Sequence, residues 1–167
     1  MIACVDVDYR DGAAVAAGLW FDDWADAVAS AQAVATFPPA AAYEPGAFYR
    51  RELPCLLGLL ALGPHADIVI VDGYVWLGGV AAGLGAHLHA SLGVTVVGVA
   101  KTRYASATGA LAVCRGGGRS PLYVSAVGMA DEEAAALVAA MHGPYRVPTL
   151  LKAVDALART SPAGAPG

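Results

Sequence analysis

Charge is scarce in this chain. Only 14% of its 167 residues are Asp, Glu, Lys or Arg, too few for a disordered or heavily solvated polymer. The cations are also unevenly spread: none lies between Arg10 and Arg50, or between Arg51 and Lys101. With a net charge of −4, this excludes a broad basic face and leaves room for a few focused phosphate contacts. Long apolar runs are missing too. The stretch Leu57–Leu62 is closed by Gly63, Pro64 and His65, well short of the roughly 18 residues of a membrane span. Cysteine is limited to Cys4, Cys55 and Cys114. An odd, dispersed set argues against a disulfide framework or a clustered zinc site and fits a reducing cytoplasm; these thiols read as small buried apolar groups. The opening Met1-Ile2-Ala3-Cys4-Val5 reaches Asp6 with no basic start, so no secretory leader is expected.

What is abundant is apolar residue, at 57%, enough for a sizeable core in one domain. The expected domain covers residues 1–160, with 161–167 as a flexible tail. Ile2–Tyr9 reads as a strand, and Asp11-Gly12 as a hairpin turn. Ala13–Phe21 reads as a second strand and Ala27–Phe37 as a third, ended by Pro38-Pro39. From Phe48 to Leu62 the apolar spacing is that of a mostly buried helix. Asp67–Gly73 carries a continuous β-branched run, suited to a central parallel strand. A helix over Val80–Leu92 and a strand over Val94–Ala100 complete a βαβ unit. Gly116-Gly117-Gly118 marks a loop, Leu122–Val127 a strand, and Asp131–Met141 and Pro148–Arg159 two helices. Three antiparallel strands followed by alternating helices and parallel strands is the order of a ribonuclease H-like α/β fold, a mixed sheet flanked by helices.

The informative residues are carboxylates set in apolar elements. Asp6 lies within the first strand, and Asp72 ends the best parallel strand, where α/β sheets place their ligands. If those strands are neighbours, two like charges meet, which is costly unless a cation or a proton compensates. All-oxygen ligation suits magnesium. Each aspartate taken alone could equally be a solvated strand end. Asp8 shares the face of Asp6 and reads as a neighbour of the site. Glu52 opens a helix, where the dipole alone would favour an acid; Asp155 sits in the last helix, where an exposed polar residue is equally at home. Lys101 ends a strand and can reach a phosphate or solvent. His87 and His89 stand two apart on a helix, a poor spacing for a shared metal.

Read together, these segments resemble the endonuclease V family. Tyr43-Glu44-Pro45-Gly46 with Arg51-Glu52 resembles its Tyr-x-Pro-Gly and Arg-Glu pattern, and Val71-Asp72-Gly73 its Val-Asp-Gly strand end. Val97-Gly98-Val99-Ala100-Lys101 is similar to its Gly-Val-Ala-Lys strand. Val5-Asp6-Val7, Pro121-Leu122 and Tyr145-Arg146-Val147-Pro148 fall in the same order as their family counterparts, and Asp155 falls at its last acidic or histidine position. The resemblance implies that Asp6 and Asp72 bind Mg2+, with Mn2+ as the alternative ion, and that Glu52 and Asp155 complete the catalytic acids. It also implies that Tyr43 belongs to a strand-separating wedge, that Gly46 and Gly73 offer backbone to a displaced base, and that Lys101 contacts the cleaved strand. Departures are visible: Gly78-Gly79-Val80 stands where the family has His-Pro-Arg, and Met129 follows Gly128 where a histidine is common. The sequence also opens at the first strand, where the family commonly has a preceding helical segment.

The resemblance implies a cytoplasmic, monomeric, magnesium-dependent endonuclease. It would cut DNA or RNA at the second phosphodiester bond 3′ to inosine, in repair. Two rivals remain. One is a nucleic-acid-binding homologue with little or no cleavage, favoured by the lost His-Pro-Arg. The other is a small-molecule hydrolase or transferase, against which the retained Tyr-x-Pro-Gly argues.

Overall fold

The computed structural model describes residues 1–38, 49–107 and 109–163. Its centre is a seven-stranded sheet in the order β3-β2-β1-β4-β5-β7-β6. The strands are β1 Ile2–Arg10, β2 Ala13–Phe21, β3 Ala31–Phe37, β4 Ile68–Asp72, β5 Thr95–Ala100, β6 Leu111–Val113 and β7 Leu122–Val127. The helices are α1 Tyr49–Leu60, α2 Leu84–Leu92, α3 Asp131–Ala140 and α4 Thr149–Thr160. This is the ribonuclease H-like arrangement, with β1, β4 and β5 parallel at its middle.

Strand alternation assigns the two faces. Ile2, Cys4, Ile70, Val97 and Val99 point to one core, with α3 and α4 packed on it. Ala3, Val5, Val69, Val71 and Val96 point to the other, with α1 and α2. Helix α4 docks through Leu150, Val154 and Ala158, one position per turn. Burying the two larger of these is worth about 1.5–3 kcal/mol each. The exposed Arg159–Asp155 pair one turn apart on the same helix is worth only about 0.3–0.5 kcal/mol. Packing, not pairing, therefore fixes where Asp155 stands.

The fold corrects the sequence reading in four places. The third strand begins at Ala31 rather than Ala27: the Asp26 carboxylate accepts the backbone N–H groups of Asp22 and Asp23, and Asp23 accepts that of Ala25, so local side-chain bonds outcompete a ladder. Helix α2 begins at Leu84 rather than Val80, because Trp76 and Ala82 form a β-bridge and the Gly83 N–H goes to the Val75 carbonyl. Strand β7 runs antiparallel to β5, not parallel. Strand β6 was not anticipated: its three residues pair with β7 alone, at the sheet edge.

Candidate metal centre and nucleic-acid cleft

The site lies where the central ladder runs out. The β1–β4 pairing ends at Val5↔Val71, so Asp6 and Asp72 are the next residues on each strand. Both share the parity of Cys4 and Ile70 and so face α4. Lys101 follows β5 with the parity of Val97 and Val99, and α4 brings Asp155 down onto the same spot. One carboxylate oxygen each from Asp6, Asp72 and Asp155 can be chosen so that all three lie within 4.8 Å of one another. Lys101 Nζ donates to Asp72 Oδ2 at 2.7 Å and reaches Asp155 Oδ1 at 3.5 Å. Arg159 Nη2 is 3.1 Å from the same Asp155 oxygen.

Glu52 arrives from the other face of the sheet. It sits in the first turn of α1 and is only 7% exposed, with no hydrogen-bond partner among the described residues. Its carboxyl lines one cleft with Asp6, Asp8, Asp72, Asp155 and Arg159. Asp8 stands beside the cluster but is ion-paired with Arg10.

Electrostatics follow from this crowding. Burial, and then the negative charge of Asp72, push the Asp6 carboxyl up to about 7. Burial, then Asp6 and Asp72, push Glu52 up to about 8, against a smaller opposing pull from Arg51. Burial alone would draw the Lys101 ammonium down, but its hydrogen bond to Asp72 and the surrounding carboxylates more than offset this and raise it. Beneath the cluster lies an apolar floor that includes Val5, Ile70, Val99, Leu122, Leu151 and Val154, which keeps the local dielectric low and strengthens each of these terms. Proton affinities this high mean that Lys101 and Arg159 do not fully offset the charge of the buried acids. A set of hard oxygen donors short of positive charge fits a small divalent cation that keeps some of its own water.

Gly73 turns the chain away from Asp72 with φ +144°, a conformation that side chains resist, and no heavy atom lies within 4 Å of where a Cβ would be. The turn is pressed onto β5: a Cβ on Gly98 would meet the Gly73 carbonyl oxygen at 2.6 Å. Tyr43 and Gly46 lie outside the described residues. His87 stacks on the Tyr49 ring with centroids 3.7 Å apart, and His89 Nδ1 bonds the Val94 carbonyl; neither histidine faces the acids. Sequence reasoning did not single out Arg159, although a cation one helical turn after Asp155 was a legible signal.

The comparisons agree with this geometry. The sequence profile of Endonuclease V matches residues 1–117. The chain belongs to the Endonuclease V family. It is 35% identical over 143 residues to the Endonuclease V of Rhodospirillum centenum, covering 72% of this chain and 58% of that protein, so it spans under two thirds of that relative's length. The crystal structure of Endonuclease V from Streptomyces avermitilis matches with a TM-score of 0.77 at 26% identity, over 95% of this chain and 79% of that one. Ciona intestinalis Endonuclease V, solved with a DNA containing an inosine followed by a ribo-adenosine, also gives a TM-score of 0.77, at 16% identity, over 95% of this chain and 84% of that one; this likeness is one of fold. No helix among the described residues is long and apolar enough to cross a membrane.

Proposed function

We propose that this chain is a divalent-metal-dependent endonuclease that cuts nucleic-acid strands at inosine. The observation that carries the reading is the convergence of Asp6, Asp72 and Asp155 on one point, with buried Glu52 above it, in a chain of this family. Asp6, Asp72 and Asp155 would hold the ion, Mg2+ by the hardness of the donors, with Mn2+ as a substitute. Such an ion lowers the pKa of bound water and offsets charge at the scissile phosphate. Glu52, without a partner among the described residues and with a high proton affinity, would orient the attacking water and take its proton. Lys101 would turn from the carboxylates to the strand as its phosphate arrives. Tyr43 would act as the wedge that opens the stack, and Gly46 and Gly73 would present backbone to the displaced base. The proposed cut is at the second phosphodiester bond 3′ to inosine in DNA or RNA, by a monomer in the cytoplasm, in repair.

A second reading, binding without cutting, draws on one observation. At Gly78, where the family carries the first residue of His-Pro-Arg, φ is +126° and a Cβ would lie 2.2 Å from the Ser106 carbonyl oxygen. No histidine fits that backbone. The deciding experiment is a labelled inosine duplex with Mg2+, run beside Asp72→Asn. Cleavage by the wild type alone supports the endonuclease. An intact strand bound by both proteins replaces it with the binding protein.

A further inference from the structure

We propose that Arg146 is a positioning residue for Lys101, holding it over the acidic cluster by clamping its backbone carbonyl. Arg146 belongs to the segment Tyr145-Arg146-Val147-Pro148, to which no role has yet been attached. Its Nη2 donates both to the Lys101 carbonyl and to the Pro121 carbonyl, the latter at 2.8 Å. The Lys101 carbonyl follows Ala100, whose pairing with Tyr123 ends the β5–β7 ladder, and the Pro121 carbonyl immediately precedes β7. The guanidinium therefore clasps the two strands at the point where their own hydrogen bonds stop.

Lys101 is otherwise the first residue of an irregular loop. One residue on, Tyr74 Oη donates to the Thr102 carbonyl at 2.8 Å and accepts the Tyr104 N–H at 3.0 Å. The backbone on either side of the Lys101–Thr102 peptide is thus tied to two different partners, and the ammonium is left to reach Asp72 and Asp155. The clamp is itself anchored. Buried Arg115 donates to the carbonyls of Ala139, Met141, Gly143, Tyr145 and Arg146, which fixes the course of the chain from α3 to Arg146. That same segment leads into α4. Lys101, through Arg146, and Asp155, through the start of α4, are therefore set by one stretch of backbone.

Stability alone accounts poorly for an arginine here. No carboxylate pairs with Arg146 among the described residues, and its Nε is buried without a partner. A half-desolvated guanidinium with an unmatched N–H is a costly way to join two carbonyls. Its placement behind a lysine that faces the acids gives it a second role.

The test exploits composition: Lys101 and Lys152 are the chain's two lysines, and Lys152 is exposed. In a 15N-labelled protein without metal, the Lys101 ammonium is expected as a hydrogen-bonded cross-peak distinct from that of Lys152. Arg146→Met should move that peak to the Lys152 position or broaden it away, while backbone amide signals keep the folded pattern. Arg146→Gln, which keeps one shorter side-chain amide donor and adds no ammonium, should restore it in part. An unchanged Lys101 peak in folded Arg146→Met overturns the proposal. If Arg146→Met does not fold, Arg146→Gln is judged by the same peak, and failure of both to fold makes the residue structural and also overturns it.

Cleavage supplies an independent arm, which rests on the endonuclease reading. Arg146→Met should slow single-turnover cutting about tenfold with strand affinity little changed, and should cause no further loss in a Lys101→Met background, since residues that act through one another are not additive. Additive losses refute the proposal. A wild type that leaves the strand intact refutes the endonuclease reading, and the ammonium signal still judges Arg146.

Discussion

Replacing Glu52 by Gln should stabilise the metal-free protein at alkaline pH and leave it nearly unchanged at acid pH. The folded chain raises this carboxyl from 4.5 to about 8, chiefly because α1 buries it and then because Asp6 and Asp72 face it. A group with its folded pKa above its unfolded value binds the proton more tightly in the folded state. Its contribution to stability is therefore complete below about 4.5 and is lost as pH rises through about 8. At about 1.36 kcal/mol per tenfold in proton affinity, ionising Glu52 in the folded chain costs on the order of 4 kcal/mol. Water entering the cleft makes this a ceiling. A chain of this length shifts its Tm by about 2–4 °C per kcal/mol, so the advantage of Glu52→Gln should grow by up to roughly 16 °C between pH 5 and pH 8.5. Asp6, raised from 3.8 to about 7, acts in the same direction in both proteins and largely cancels from the difference. The assay is thermal unfolding by circular dichroism in chelator-treated buffer across that range, repeated with Mg2+. The ion should restore the wild type at pH 8.5, because it supplies the missing charge. A wild-type Tm that does not fall with pH, or a variant that gains nothing at pH 8.5, would refute the account of the cleft acids as only partly neutralised.

Asp72→Asn should abolish cleavage at saturating Mg2+ and leave strand binding within about threefold, because one ligand charge is lost while the fold survives; gel shift and cleavage assays on one preparation separate the two. Gly78→Ala should lower stability by at least about 1 kcal/mol in chemical denaturation, since a Cβ meets a carbonyl on a backbone that side chains resist; an unchanged midpoint would mean that the 76–80 segment yields freely. Apparent affinity for an inosine strand should fall gently with salt. With phosphate contacts limited to Lys101 and a few arginines, the slope of log K against log salt should be no steeper than about −4, and a much steeper slope would reveal a basic surface that the sequence does not suggest.

The parts of this protein legible in its sequence are those where one side chain reports one environment. Ile68–Val71 announced a central strand because β-branched residues run unbroken there, and Asp72 stood out against them. Asp6 was visible for the same reason. Strand direction is not written in hydrophobicity, so β7 was given the wrong sense. Alanine-rich stretches carry little contrast, and the start of β3 was placed four residues early. Glu52 taken alone read as an ordinary helix-start acid, and only the family resemblance marked it as catalytic, because its burial depends on α1 crossing the sheet end, a tertiary fact. Arg115 gave no signal, and Arg146 appeared only inside a family-like motif with no role attached: each binds carbonyl groups, and every residue has one of those.

Asp6 lies on the first strand and Asp155 on the last helix, and this has a bearing on synthesis. Chains emerge from the ribosome amino end first. A nascent chain can lay down β1, β2 and β4 and bring Asp6 beside Asp72 long before α4 exists. Until α4 docks, two carboxylates share the end of an open sheet with no third ligand to close the set. A divalent ion would be held weakly by such an intermediate, and the apolar face that α4 covers would still be bare. Completion of the proposed metal site and completion of the core are thus the same late event, so a half-made chain would carry neither.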